Sequence, residues 1–292
     1  MNLSNPTILA SGIMDEDAES MKRVFDGGAS AVVTKSIGLN PKEGYPNPTF
    51  VELEHGILNA MGLPNPGIKE FGEEIKKLKN LNIPVIGSIF GSNSHEFIEL
   101  SEKMCSYGAN ALELNMSCPH AKGYGLEIGS DSKLVREITS KVKKSSDIPV
   151  FVKLSSNLTD IVKIAKSAEK GNADAIVAIN SVKAMKINLD MKMPVLANKI
   201  GGYSGSAIKP IGVRCVYDIA KNVNIPIIGV GGVMTGEDAL EYVMAGASAV
   251  QIGTGIHYRG IDIFEKVRKE MEHWMKDHNY KTLSELIGAA HV

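Results

Sequence analysis

Eight short runs of β-branched and apolar residues constrain this chain's fold more than any other feature: Thr7–Ala10, Ala31–Lys35, Pro84–Phe90, Ala111–Asn115, Pro149–Leu154, Ala175–Asn180, Pro226–Val230 and Ala249–Thr254. They are nearly all-apolar rather than alternating, as parallel strands buried on both faces should be, and helix-like segments separate them. Eight β/α units of about 30 residues each predict a closed TIM (β/α)8 barrel. At about 150 residues per domain, 292 residues would suggest two domains, but such a barrel uses roughly 250, so one domain over residues 1–292 is expected.

The turns ahead of these runs alternate. Proline opens the odd-numbered runs (Pro6, Pro84, Pro149, Pro226), whereas the even-numbered runs follow Gly28-Ala29-Ser30, Gly108-Ala109-Asn110, Gly171-Asn172-Ala173-Asp174 and Gly246-Ala247-Ser248. Glycine suits the left-handed residue that ends a helix, and proline suits a strand's first residue, where no ladder donor is needed. Doubled units are therefore written into the expected base of the barrel. Three loops that follow strands are long and rich in Gly, Pro and Asn: Ser36–Pro66, Ser117–Gly129 and Ser181–Ala207. Function is expected at loops of this kind. After the last run, Phe264–Met275 and Thr282–Ile287 read as amphipathic helix closing the barrel.

Composition narrows the function. With 43% hydrophobic residues and a formal net charge of −1, the chain supports a sizeable core and lacks the basic surplus of a dedicated nucleic-acid binder. Cys105, Cys118 and Cys215 show no CxxC spacing, which predicts no disulfide framework, zinc site or iron–sulfur site in this chain and fits a reducing cytoplasm. No basic leader precedes a long apolar run, and no window reaches the roughly 18 apolar residues of a membrane span.

The chemistry-bearing residues collect at strand ends. Runs seven and eight end in Gly229-Val230-Gly231-Gly232 and Gly253-Thr254-Gly255. Paired glycine turns there match the phosphate site of such barrels, where exposed backbone N–H groups hold the anion. Lys35 and Lys153 stand where their ammonium groups would enter the barrel mouth. A buried cation is costly unless it meets an anion or a carbonyl-rich ligand, so the two point to a polar, electron-accepting guest. The segment Glu113-Leu114-Asn115-Met116-Ser117-Cys118-Pro119-His120 sets an amide, a hydroxyl, a thiol and an imidazole at one strand end. Cys118 is the one cysteine placed for work as a general base or nucleophile, whereas Cys105 and Cys215 sit in helical patterns and read as packing. His120 reads equally as a loop cap and as a ligand-binding group.

In order along the chain, Leu9-Ala10-Ser11-Gly12, Thr34-Lys35-Ser36, Asn59-Ala60-Met61-Gly62-Leu63-Pro64-Asn65, Asn115-Met116-Ser117-Cys118-Pro119, Ile179-Asn180-Ser181, Gly201-Gly202-Tyr203-Ser204-Gly205 and the two glycine turns resemble one family. It is that of the flavin-dependent dihydroorotate dehydrogenases, class 1, whose base is cysteine, and the likeness is greatest to the class 1B catalytic subunit. The resemblance implies FMN across the barrel mouth, its phosphate on Gly231, Gly232, Gly253 and Thr254, with Ser11, Lys35, Ser36, Asn115, Lys153, Ile179 and Gly205 around it. It implies a pyrimidine held by Lys35, Asn59, Ala60, Met61, Gly62, Leu63, Asn115, Asn180 and Ser181. Cys118 would remove the C5 proton of dihydroorotate while C6 delivers hydride to the flavin, yielding orotate for pyrimidine (UMP) biosynthesis. The implied assembly is a homodimer joined to an iron–sulfur flavoprotein that carries FAD and a [2Fe-2S] cluster and passes electrons to NAD. The lean toward this partner, rather than direct reduction of fumarate, rests on Leu196–Lys199 and Pro210–Val216.

Some positions depart from the family pattern. His120 stands where many members have asparagine, a change that also occurs in dihydropyrimidine dehydrogenases, and Ser88 stands where some members place a flavin-contacting asparagine. Only five residues precede Pro6, where relatives usually have a β-hairpin under the barrel, so either the start lies upstream or the base is capped differently. A uracil- or thymine-reducing flavoenzyme and a flavin-free phosphate-binding barrel remain the alternative readings.

Overall fold

All eight expected runs form strands, and they close on themselves. The barrel consists of β1 (Thr7–Leu9), β2 (Val32–Val33), β3 (Val85–Ile89), β4 (Ala111–Asn115), β5 (Val150–Ser155), β6 (Ala175–Asn180), β7 (Ile227–Val230) and β8 (Ala249–Ile252), every neighbouring pair parallel and β8 paired back to β1. This is a TIM barrel. The structure is a computed structural model and describes residues 1–118 and 125–292.

Strand parity explains the apolar runs. Successive side chains alternate across a strand, so Ile8, Val33, Ile86, Phe151, Val177 and Ile228 fill the barrel, while their neighbours Leu9, Val32, Val85, Val152, Ile176 and Ile227 face the surrounding helices. Both faces are buried, which is why the strands do not alternate with polar residues. Several helices begin at side-chain caps: Asp17 accepts from Ser20 N–H, Asn93 from His95 and Glu96 N–H, Asp131 from Lys133 N–H, and Thr235 forms a capping box with Asp238.

The base is as regular as its sequence. Pro6, Pro84, Pro149 and Pro226 each use the carbonyl, their one backbone hydrogen-bonding group, to accept from an even strand: from Val250, Val32, Leu112 and Ile176. In return Ser30, Asn110, Asp174 and Ser248 donate their N–H to Thr7, Val85, Val150 and Ile227. Gly28, Gly108 and Gly246 adopt the left-handed backbone that was expected, but in the fourth turn Gly171 does not, and Asn172 takes that conformation at φ 64°. Asparagine is the residue other than glycine that tolerates it best. Beneath the barrel, Leu3 packs on the inner apolar cluster, and Asn5 accepts from both the N–H and the hydroxyl of Thr7.

The closing helix runs Ile263–Asp277, matching expectation. Thr282–Ile287 does not form a helix of that length. It makes a single 3-10 turn, Leu283–Glu285, because the chain leaves at Gly288 (φ 76°) to bond along Val243 and Met244. Among the described residues no helix is long and apolar enough to cross a membrane.

Two of the three long loops build a roof. Phe50–Leu53, Gly56–Asn59, Gly201–Ser204 and Val182–Ala184 form, in that spatial order, an antiparallel sheet over the strand ends. Glycine permits its close packing: a Cβ at Gly56 would collide with the Ser204 carbonyl, and one at Gly201 would stand 2.7 Å from the Asn59 carbonyl. Beyond it a hairpin pairing Ile187–Asn188 with Met193–Pro194 exposes Leu189 and Met191.

Candidate active site

Between the strand ends and the roof lies a cavity of about 390 Å3, in the size range of small-ligand sites. Its wall includes Ser11, Lys35, Ser36, Asn59, Met61, Gly62, Leu63, Asn115, Cys118, Lys153, Ile179, Asn180, Ser181, Gly205, Gly231, Gly232, Gly253 and Thr254. Every residue assigned from the sequence to the FMN, the pyrimidine or the base is therefore brought together here except Ala60, which does not line the cavity. Its methyl group is buried with Leu58 and Leu196, inside the small core that holds the roof in place. His120 lies outside the described residues.

One end of the cavity is a cradle of backbone. Gly231 and Gly232 both have left-handed φ, at 124° and 72°, and a Cβ on Gly232 would stand 2.8 Å from the Gly205 carbonyl. Among the described residues, the N–H groups of Gly231, Gly232, Gly253 and Thr254 donate to no acceptor in the chain. The turn is fixed from behind by the buried Tyr242 hydroxyl, 2.7 Å from the Gly231 carbonyl, and at the side by Thr254 Oγ1 donating to Ser204 Oγ at 2.8 Å. Unused N–H groups on a glycine turn suit an anion.

The other end carries a continuous polar chain. Ser88 and Ser36 hydroxyls meet at 2.8 Å, Asn115 Nδ2 donates to Ser36 Oγ at 2.8 Å, Ser117 Oγ donates to Asn115 Oδ1 at 2.9 Å, and Asn180 Nδ2 donates to Ser117 Oγ at 2.9 Å. The Ser181 N–H completes it on Asn180 Oδ1 at 2.7 Å. Each amide is held with a defined face outward, as recognition of a ring bearing donors and acceptors requires. Ser88 thus supports Ser36 from behind rather than lining the cavity. Cys118, 8% exposed, follows this chain on the cavity wall, while Cys215 is buried in a helix where desolvation pushes its thiol above the ordinary range.

Charge is concentrated at the floor and rim. Lys153 and Glu113, with side chains 6% and 0% exposed, stand 3.3 Å apart and share Gln251. Lys35 reaches the rim and pairs with Glu16 at 2.8 Å. Behind Ser11, the buried Asp15 accepts from the Gly12 N–H; burial pushes its carboxyl up to about 6, against that hydrogen bond and the Lys35 charge. Sequence reasoning missed Glu16, Phe50, Glu113 and Gln251 as cavity residues. For two of them a signal existed: Glu113 and Gln251 are polar residues at inward positions of otherwise apolar strands, Glu113 two residues before Asn115.

A barrel whose mouth joins a backbone anion cradle to a rigid polar chain and a buried thiol is built to hold a phosphate-bearing ligand and a polar ring beside a reactive group. The dihydroorotate dehydrogenase family model matches residues 1–275, and the chain belongs to that family. It is 52% identical over 295 aligned positions to "Dihydroorotate dehydrogenase B (NAD(+)), catalytic subunit" of Methanocaldococcus jannaschii, covering 100% of this chain and 96% of the relative. Proteins of the same description from Thermoplasma acidophilum and Pyrococcus abyssi are 51% and 49% identical, each over 99% of this chain and 96% of the relative.

Proposed function

We propose that this chain is the FMN-binding catalytic subunit of a dihydroorotate dehydrogenase that oxidises dihydroorotate to orotate in pyrimidine biosynthesis. The observation that carries the reading is the two-ended cavity: a cradle of unused N–H groups at Gly231, Gly232, Gly253 and Thr254, and a thiol beside amides at the other end. The residues fit FMN, since the N–H groups of Gly231, Gly232, Gly253 and Thr254, without an acceptor among the described residues, suit a phosphate, and Lys153 offers a cation for a ring system that gains negative charge. Bound FMN would supply a two-electron acceptor.

The chain's own groups do the rest. Lys35 and Asn59 hold the substrate carboxylate, and Asn115, Asn180 and Ser181 hold the pyrimidine edge in the fixed orientation of their hydrogen-bonded chain. Cys118 Sγ takes the proton from the ring carbon next to the one that loses hydride, acting as general base. The roof excludes water from that exchange. Ser11, Ser36, Ile179 and Gly205 complete the FMN walls, and Met61, Gly62 and Leu63 close over the substrate.

The relatives' descriptions name NAD(+) and a catalytic subunit. For this chain those words support a second subunit and NAD+ as acceptor; on this reading the second subunit is an iron–sulfur flavoprotein and the chain is a homodimer in the cytoplasm. Acid release should yield FMN at about one per chain, and orotate should perturb the flavin spectrum at concentrations where uracil does not. FAD or no flavin after reconstitution would overturn the cofactor assignment. Equal response to uracil and orotate would favour the pyrimidine-reducing alternative.

A further inference from the structure

We propose that Glu113 and Gln251 are positioning residues that hold the Lys153 ammonium at the floor of the cavity, and that the Glu113 charge sets the redox poise of the flavin bound there. The inference rests on the flavin reading given above.

The floor is one closed set of contacts. Gln251 Nε2 donates to Glu113 Oε2 at 2.7 Å, while Gln251 Oε1 accepts from Lys153 Nζ at 3.1 Å. Lys153 Nζ stands 3.3 Å from Glu113 Oε1, and that oxygen, fully buried, makes no hydrogen bond. Every other lysine–carboxylate pair among the described residues is 2.8 Å or shorter, although those partners are far more exposed. Desolvated opposite charges should close on each other more tightly than surface ones, not less. The Gln251 amide keeps them apart: it gives its N–H to the carboxylate and its carbonyl to the ammonium.

Stability does not explain the arrangement. The rest of the barrel interior is filled by apolar side chains such as Phe151, Val177 and Ile228, and a hydrophobic set of equal volume would serve the fold as well as a buried ion pair. What the spacing does is leave ammonium hydrogens available to the cavity that Lys153 lines, with the Glu113 carboxylate 3.3 Å away on the same wall. A guest that becomes anionic on reduction then meets a cation whose field is tempered by Glu113.

The test compares reconstituted holoproteins by spectroelectrochemical titration of the flavin. Glu113→Gln is isosteric and removes only the negative charge; it should shift the flavin equilibrium toward the reduced form at least tenfold, about 30 mV for a two-electron couple. Gln251→Met keeps both charges but lets them close, and should shift it the other way. A merely structural role would not move the two variants in opposite directions. An unchanged potential in FMN-loaded Glu113→Gln, or shifts of the same sign in both, would overturn the proposal. Denaturant unfolding of the apoproteins adds a cycle that needs no flavin. Glu113→Gln/Lys153→Met should be more stable than Glu113→Gln alone, and should fold even where the single variant does not; strictly additive losses, or a double variant that fails to fold, would overturn the pairing. A parent protein that binds no FMN would instead end the flavin reading and leave the pairing to be judged by the cycle.

Discussion

The two ends of the barrel are built on opposite terms. At the base, one backbone hydrogen-bond device is used four times, and at three strand starts a side chain takes the exposed donor: Asn5 from Thr7, Asn110 from Val85 and Asp174 from Val150. Asp174 illustrates it: one carboxylate oxygen takes the Val150 N–H at 2.7 Å and the Lys143 ammonium at 2.6 Å. At the mouth Asp15 is equally an aspartate beside a strand, yet Oδ1 is buried without a hydrogen bond, as are Glu113 Oε1 and Ser156 Oγ. Among the described residues His291 Nδ1 is the one such atom at the base, beside the Ala245 carbonyl; the other three gather at the mouth, where a ligand can use them.

Substitutions can break or sharpen that contrast. The largest effect belongs to the mouth: Cys118→Ala should slow reduction of the flavin by dihydroorotate by about 10²–10⁴ in stopped flow while FMN and orotate still bind, and Cys105→Ala and Cys215→Ala should leave the rate unchanged. A Cys118→Ala protein as fast as the parent would place the proton elsewhere. Next is Asp15. Because burial raises its carboxyl from 3.8 to about 6, the native state holds that proton more tightly than the unfolded chain does. The stability so gained is fully present below about pH 4 and is lost as pH rises through 6, at most about 3 kcal/mol. Asp15→Asn should flatten this part of the stability–pH curve in denaturant titrations, and an unaltered slope would refute the assignment.

At the base, Asn110→Ala should orphan the Val85 N–H, which its Oδ1 accepts at 2.8 Å, and cost about 1–3 kcal/mol of stability with no change in orotate affinity. A change in ligand binding there would blur the division between the ends. The smallest effect is expected at the roof: Asn59→Ala should weaken orotate binding by somewhat more than about 1 kcal/mol by calorimetry, without altering the melting temperature by a comparable amount.

The barrel was legible because its strands are buried on both faces, so Val32, Val85 or Ile176 had to be apolar whichever way it pointed. The roof was not. Phe50–Leu53 is half exposed, its neighbours owe their pairing to Gly56, Gly201 and Gly202, and glycine-rich sequence carries no strand signal until its partner is known. Ala60 was misplaced for the same reason, since only pairing in that sheet decides which side chains of 57–61 turn toward the cavity. The glycine turns, Cys118 and the two lysines were legible because each breaks an apolar strand at its end. Glu113 and Gln251 sit one step deeper, where a polar residue gains meaning only once its neighbour across the barrel is seen.

The fourfold base has a consequence for the chain's order. Advancing two strands around the ring maps Pro6 onto Pro84, Pro84 onto Pro149 and Pro149 onto Pro226, with the same carbonyl and the same partner each time. Nothing in that ring marks a beginning. A polypeptide re-cut at the Gly108 turn, with its former ends linked, would rebuild the same base from a new first strand, since no hydrogen bond there depends on which unit was made first. The mouth has no such freedom: the thiol follows β4 alone, one lysine follows β2 and the other lies in β5, and the glycine cradle spans β7 and β8, so the architecture is cyclic below and addressed above.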